Sequence, residues 1–212
     1  MMLTVSRSKS ENALERRELR SQPAAQQRPY HHGQLREALL SAAFDLLQEQ
    51  QAAHISLRQV AKHAGVSHAA PYHYFPDRRQ LLLALAERCM EAFYQKQVEA
   101  FERAGPDPLH QLVAIGEAYI QFALQHTNAF HLIFDPSLCI PDQPSPVHQA
   151  NQQLLRFTIE RCMAQGSVPP NDPDLVAAGM WGTVHGLAQL ILLGHLPAEA
   201  ARPALQALNG LS

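Results

Sequence analysis

Twelve histidines and three cysteines are the residues of this chain able to bind metal, move protons or react with oxidants, and their spacing decides among these chemistries. Cys89, Cys139 and Cys162 are odd in number and lie far apart. With no Cys-x-x-Cys pair, neither a disulfide framework nor a zinc ribbon is expected, and a reducing cytoplasm fits. His31 and His32 adjoin at a helix entrance, but neighbours there do not converge on one ion without further ligands. No Gly-rich phosphate loop, His-Glu-x-x-His, Gly-x-Ser-x-Gly elbow or paired-carboxylate cluster occurs, so neither catalysis nor a cofactor is expected. One sensing chemistry stays open as the alternative: His126, His131, Cys139 and Cys162 as metal ligands or reactive thiols.

The residues from Ser56 to Phe75 carry a different chemistry, that of contact with a nucleic acid. Ser56 is an N-cap, and Leu57, Val60, Ala61 and Ala64 follow at helical spacing on one face. Ala61 is small enough for a second helix to cross closely. Gly65 stands where a helix needs a residue that accepts left-handed backbone, Val66 plugs the crossing, and Ser67 caps a second helix over 68–74. Two short helices joined steeply at a glycine form a helix-turn-helix, in which the second helix enters a DNA major groove.

The pattern Ser-x-x-x-Val-Ala-x-x-Ala-Gly-Val-Ser-x-Ala-x-x-Tyr-x-Tyr-Phe-Pro-x-Arg-x-x-Leu, from Ser56 to Leu81, resembles the signature of the tetracycline-repressor (TetR) family. The resemblance implies base-edge or thymine-methyl contacts at His68, Ala69, Tyr72 and His73, with Ser67 opening that helix. It implies phosphate contacts at Tyr74 and Arg78, and a backbone amide offered at Ser56. This chain departs from the family at Ala69, Ala70 and Pro71, where glycine, a hydroxyl residue and leucine are usual. Ala70 lacks the hydroxyl for a phosphate contact. Pro71 removes an amide in the first turn, where its loss is cheaper than mid-helix.

Elements on either side must hold this motif. Residues 1–29 are rich in Ser, Gln, Arg and Glu and read as a mobile basic arm, with 6 Lys and Arg against 3 Asp and Glu and no apolar run of a secretory signal. A first helix over 34–49 sets Leu35, Ala38, Leu39, Ala42, Ala43, Leu46 and Leu47 on one face to cover the motif. Asp77 caps a long helix to Arg103, a lever with Leu81, Leu82, Leu85, Ala86, Cys89, Phe93 and Val98 inward. The expected division is therefore an arm at 1–29, a DNA-binding domain at 30–80 and a helical ligand-binding and dimerisation domain at 81–212. Charge follows it: residues 1–80 carry 11 Lys and Arg against 7 Asp and Glu, and residues 81–212 carry 6 against 12.

The expected fold class is all-α throughout, with body helices over 109–126, 128–134, 147–165, 173–193 and 197–208 and a proline-rich loop over 135–146. The helix at 173–193 is apolar nearly all round, but Gly179, Gly182, Thr183, His185, Gly186 and Gln189 interrupt it and no basic cluster flanks it. Burial by protein on two sides is expected rather than a membrane span, with one side in a homodimer seam shared with the helix at 147–165. The segment from Trp181 to Leu190 also resembles the Trp-His-Gly type of C-terminal domain in one branch of the family. Tyr119, Phe122, His126, Phe130, Phe134, Met163, Trp181 and His185 are the candidate lining of a pocket for a small apolar or amphipathic effector. A repressor of this type implies a cytoplasmic homodimer on a near-palindromic double-stranded DNA operator, with its two probes about 34–36 Å apart.

Overall fold

The computed structural model of the protein describes residues 32–138 and 144–208. The basic arm, His31 and Cys139 lie outside those residues. Two compact units divide at Leu35 and Arg36, and everything below concerns the second, Arg36–Ser212, apart from the first turn of the opening helix.

Helix α1 (His32–Glu49) buries Leu39, Ala42, Ala43 and Leu47 of the expected stripe, with Leu40 added, while Leu35, Ala38 and Leu46 are half-buried. A 3-10 turn (Ala52–His54) follows, and Ser56 then opens α2 (Leu57–His63) with a full capping box. The Ser56 hydroxyl accepts from the Gln59 amide at 3.3 Å, and the Gln59 side chain accepts from the Ser56 amide at 2.9 Å. Gly65, at φ +68°, closes the helix. Its amide donates to Lys62 O at 3.2 Å and the Val66 amide to Ala61 O at 3.0 Å, the paired bonds of a Schellman cap.

The second helix of the motif is shorter and tighter than the α-helix expected over 68–74. It is a 3-10 helix (Ala70–His73) preceded by a turn. Pro71 is the reason. An α-helix started at Ser67 would place its first i to i−4 bond between residue 71 and Ser67 O, and proline has no amide to give. The Ala70 amide takes Ser67 O instead at 3.0 Å, and the Tyr72 amide takes Ala69 O at 3.2 Å. Ser67 thus contributes its carbonyl, and the 3-10 helix has no side-chain cap.

Asp77 caps α3 (Arg78–Arg103), whose 26 residues span about 39 Å. Leu81, Leu85, Cys89, Phe93 and Gln97 form one buried ridge along it. Against this lever pack α4 (Pro108–Gln125), α5 (Thr127–Ile133) and α6 (Pro146–Ala164), while α7 (Pro173–Leu192) and α8 (Ala201–Leu208) pack on α4. Asp107, Ser145 and Asp172 cap three of them, each followed by proline at the first helical position. The described residues are helix, turn and loop with no strand.

Helix α7 buries Val184, Ala188 and Ile191 against the body, while Leu175, Trp181, Leu190 and Leu193 stay exposed. Among the described residues it is the one helix long and apolar enough to cross a membrane, by length and composition, and most of it is not buried within the single chain.

Gly65 and Gly182 make opposite demands on a methyl group, although neither has a heavy atom within 4 Å of where a Cβ would stand. Gly65→Ala is expected to lose about 1 kcal/mol, because only its left-handed backbone resists. Gly182→Ala lies in ordinary helix and is expected to leave the folding of a single chain unharmed or better by up to about 1 kcal/mol. Urea midpoints test the pair, and an unchanged midpoint for Gly65→Ala would mean that the turn relaxes without it.

Candidate nucleic-acid interface and ligand pocket

The tight turn after α2 decides what faces outward. Pro71 and Phe75 are buried beneath it, and Arg36 lies over the Phe75 ring at 5.5 Å. Ser67, His68, Ala69, Tyr72 and His73 are exposed, Tyr72 at 50%, and Ser56, Ala70 and Tyr74 are half-buried. A large aromatic left half in water, on a segment so firmly seated, is the feature of this end of the molecule that folding does not account for.

Arg78 has a different place from the one its family position implies. Its Nε donates to Ile55 O at 2.8 Å and its Nη2 to Ala52 O at 2.6 Å. The guanidinium therefore ties the first turn of the lever to the loop just ahead of Ser56. Further along α3, Arg88 binds Glu37 and donates to Ser41 Oγ at 3.3 Å, with its guanidinium over Phe44. From the body, Asn128 Nδ2 donates to Leu47 O at 3.0 Å, and His126 Nδ1 meets Gln48 Oε1 at 3.2 Å. The end of α1 is held by the corner between α4 and α5, and its middle by the lever.

Inside the body the predicted aromatic residues divide. Tyr119, Phe130, Phe134, Trp181 and His185 form one ring cluster with centroids 5.0 to 6.4 Å apart. Phe93 of the lever, which sequence reasoning assigned only to the lever's buried side, meets Tyr119, Phe122 and Phe134 edge-on. Phe122 reaches the cluster through Phe93, while His126 turns toward α1. Met163 sits apart, in a cluster with Leu112, Ile159, Cys162 and Val168. Met163 was expected to line the pocket, and its position on α6 turns it toward this other core instead.

Trp181 Nε1 donates to Tyr119 Oη at 3.3 Å, and Tyr119 Oη lies 2.7 Å from His185 Nδ1. With the indole able only to donate, the chain of bonds is completed when the phenol donates to an unprotonated Nδ1. The imidazole is then neutral, with its proton on Nε2. Burial favours the same state, since it holds the His185 pKa below the ordinary value and pushes that of Tyr119 up.

Three cavities meet around Trp181. One of about 500 Å³ lies between α3, α6 and α7, one of about 310 Å³ reaches in toward Leu112 and Leu205, and one of about 530 Å³ opens toward Leu138 and Ser145. Tyr119 and Trp181 line the first two. Sequence reasoning missed Gln97 and Asn151, whose amides join at 2.8 Å beside these cavities. The signal was present in Gln97, a polar residue in the i+4 ridge of Leu85, Cys89 and Phe93. A further cleft of about 720 Å³ lies on the other side of α4, and His126 and Phe122 line it.

Among the described residues no group of three or more His, Cys, Asp or Glu is gathered as a metal site would require. Cys162 is buried with its thiol pKa raised, and Cys89 is buried with its thiol pushed up to about 12, so both are protonated.

An all-helical chain with an exposed helix-turn-helix on a long lever and a cavity-bearing body is built as a ligand-responsive, DNA-binding transcriptional regulator. Residues 39–85 match the bacterial regulatory proteins of the tetR family, and residues 112–208 match the tetracyclin repressor-like C-terminal domain. The chain belongs to the TetR family. The nucleoid occlusion factor SlmA of Vibrio cholerae is 24% identical over 161 residues, covering 71% of this chain and 80% of that protein. A solved protein of unknown function from Rhodococcus sp. RHA1 is 32% identical with a TM-score of 0.75, covering 86% of this chain and 96% of that one. The FadR regulator of Bacillus subtilis, solved with stearoyl-CoA, shares the fold at 15% identity and a TM-score of 0.65, covering 82% of this chain and 97% of that one.

The neutral His185 has a measurable consequence. The unfolded chain takes up a proton below about pH 6.5, and the native ring, its pKa lowered, takes it up only at more acid pH. Stability therefore falls as pH drops below about 6.5 and levels off below the native pKa. His148, also lowered by burial, adds to this slope. His185→Gln is expected to flatten the slope of unfolding free energy between about pH 7 and about pH 5. A variant with the wild-type slope would mean that the native ring is solvated.

Proposed function

We propose that the chain is a homodimeric repressor that holds a near-palindromic operator with two copies of the 3-10 probe and is released when a small apolar or amphipathic effector enters the body. The observation that carries this reading is the exposure of His68, Ala69, Tyr72 and His73 on a segment whose inner side, Pro71 and Phe75, is buried. His68 and His73 supply hydrogen-bonding edges, and Ala69 and Tyr72 supply apolar surface for thymine methyls. Tyr74 lies at the margin, suited to phosphate, with Ser67 at the mouth of the probe and Ala70 as a spacer, while the Ser56 amide expected to join it is held by Gln59 Oε1 at 2.9 Å. Arg78 serves the same surface from behind by bracing the loop ahead of Ser56.

The dimer reading rests on apolar surface that one chain leaves uncovered. Phe157 of α6, Leu175 and Leu190 of α7 and Leu193 at its C-cap are exposed, and Gly179, Gly182 and Gly186 have open space where side chains would be. A second copy laid on this face would cover the leucines and use the glycines for close approach. Inserting α7 into a membrane would instead withdraw Val184, Ala188 and Ile191 from the core they fill. Acting on DNA places the protein in the cytoplasm.

Release follows from the position of Phe93. It belongs to the lever and touches the ring cluster, so a ligand that displaces those rings shifts α3, and Arg78 and Arg88 carry the movement to the head.

Tyr72→Ala is expected to abolish operator binding in a mobility-shift assay while leaving the helical circular dichroism spectrum unchanged. Full binding by that variant would remove the probe assignment. Gly182→Leu is expected to weaken self-association at least about tenfold in sedimentation equilibrium without loss of helix. A variant that dimerises as wild type would move the seam elsewhere.

A further inference from the structure

The pocket around Tyr119 and Trp181 offers hydrogen bonds but no free charge. The 310 Å³ cavity is lined by Leu112, Ile115, Val176 and other apolar groups, and its polar residues, Gln97, Tyr119, Asn151 and Thr183, are all uncharged. In the adjoining 500 Å³ cavity the charged residues are Arg156 and Asp174, and they neutralise each other through two bonds of 2.8 Å from one guanidinium nitrogen. His148 is the titratable group besides these and Tyr119, and burial lowers its pKa, against charging. A carboxylate entering the inner cavity would lose its hydration with no cation to receive it, which disfavours its binding.

One pair of groups has hydrogen-bonding capacity to spare. Gln97, 3% exposed, donates through Nε2 to Asn151 Oδ1 at 2.8 Å. This bond uses one amide group of each residue. Gln97 Oε1 and Asn151 Nδ2 have no protein partner among the described residues. An acceptor and a donor are thus left on adjacent side chains, and exchanging oxygen and nitrogen on both side chains would leave the same complement. A carboxamide or lactam carries the matching donor and acceptor on neighbouring atoms. At about 30 Å³ per non-hydrogen atom, the inner cavity takes on the order of ten such atoms.

We propose that the effector of this protein is an uncharged amphiphile, a carboxamide or lactam on an apolar body of about ten non-hydrogen atoms, held by Gln97 and Asn151 with its body against Tyr119 and Trp181. The assignment rests on the reading of the body as an effector domain and adds the ligand's chemistry to it. It sets aside fatty acids and other anions of the same length, since the inner cavity has nothing to neutralise them.

The chain has one tryptophan, so Trp181 fluorescence reports directly on this pocket. Octanamide, octanoate and 1-octanol, equal in chain length, are titrated into the full chain at neutral pH. Octanamide is expected to shift the Trp181 emission and to bind at least about tenfold more tightly than octanoate, with 1-octanol between them. Gln97→Met and Asn151→Leu, each checked for fold by circular dichroism, are expected to erase the advantage of octanamide over 1-octanol. Octanoate binding as well as octanamide would overturn the assignment, as would silence toward octanamide up to its solubility limit or a preference that survives both variants. The wider effector reading is tested separately, by release of bound DNA: release by octanoate alone would sink the proposal and keep that reading, and binding of octanamide without release would leave the pocket's preference for an amide standing but overturn its assignment as the effector.

Discussion

The contact between α2 and the probe is fixed by one residue in left-handed backbone. Gly65 lets the chain reverse within a single Schellman cap, and that cap brings Val66 back to the carbonyl of Ala61. Ala61 and Val60 are fully buried, so the turn is pinned from inside by packing and from outside by backbone bonds. The direction in which Tyr72 and His73 project is set by this corner. A side chain at residue 65 would oppose the backbone there without any steric contact, since no atom is near enough to clash.

The probe needs such a fixed corner because its own structure is poor. With Pro71 unable to donate, it has no α-helical bond to Ser67 and is held by 3-10 bonds, which are less well aligned. Its rigidity comes from what lies beneath it: Pro71 and Phe75 buried, Arg36 over Phe75, and the loop ahead of α2 clamped by Arg78. Arg78 and Asp77 are neighbours in sequence that act in opposite directions. Asp77 starts the lever, and Arg78 fastens that start to the carbonyls of Ala52 and Ile55. The lever and the reading head therefore share a turn of chain, and movement of one is movement of the other.

Local signals made most of the helix boundaries legible. Ser56, Asp77, Asp107 and Asp172 each cap a helix within its own next three residues, and Gly65 and Gly166 end helices by their own backbone. Pro71 was equally visible, but its effect depends on whether the helix can start without residue 71, a matter of one missing bond rather than of propensity. The pocket was legible only in part. Trp181 and His185 share a helix face by spacing and do meet Tyr119, but periodicity cannot say which inward faces oppose one another. Met163 and His126 are inward or near-inward on their own helices and meet other partners. The amide pair stayed hidden because Gln97 and Asn151 lie 54 residues apart and neither is unusual alone.

Helix α7 has to meet two demands that its sequence separates by face. Val184, Ala188 and Ile191 hold it to the body, and the glycines and leucines around Gly182 lie bare. Trp181 stands between these faces, half-exposed, with its indole nitrogen on Tyr119 and its ring beside three cavities. A ligand in the cavities beside this indole meets a ring already packed near Phe134 and His185, so the room left for the indole to move is along or around α7. In the proposed dimer that movement reaches the partner as directly as Phe93 passes it to the lever. A single side chain at the border of core and seam then makes occupancy of one body felt by both heads, with no element between them that needs to refold.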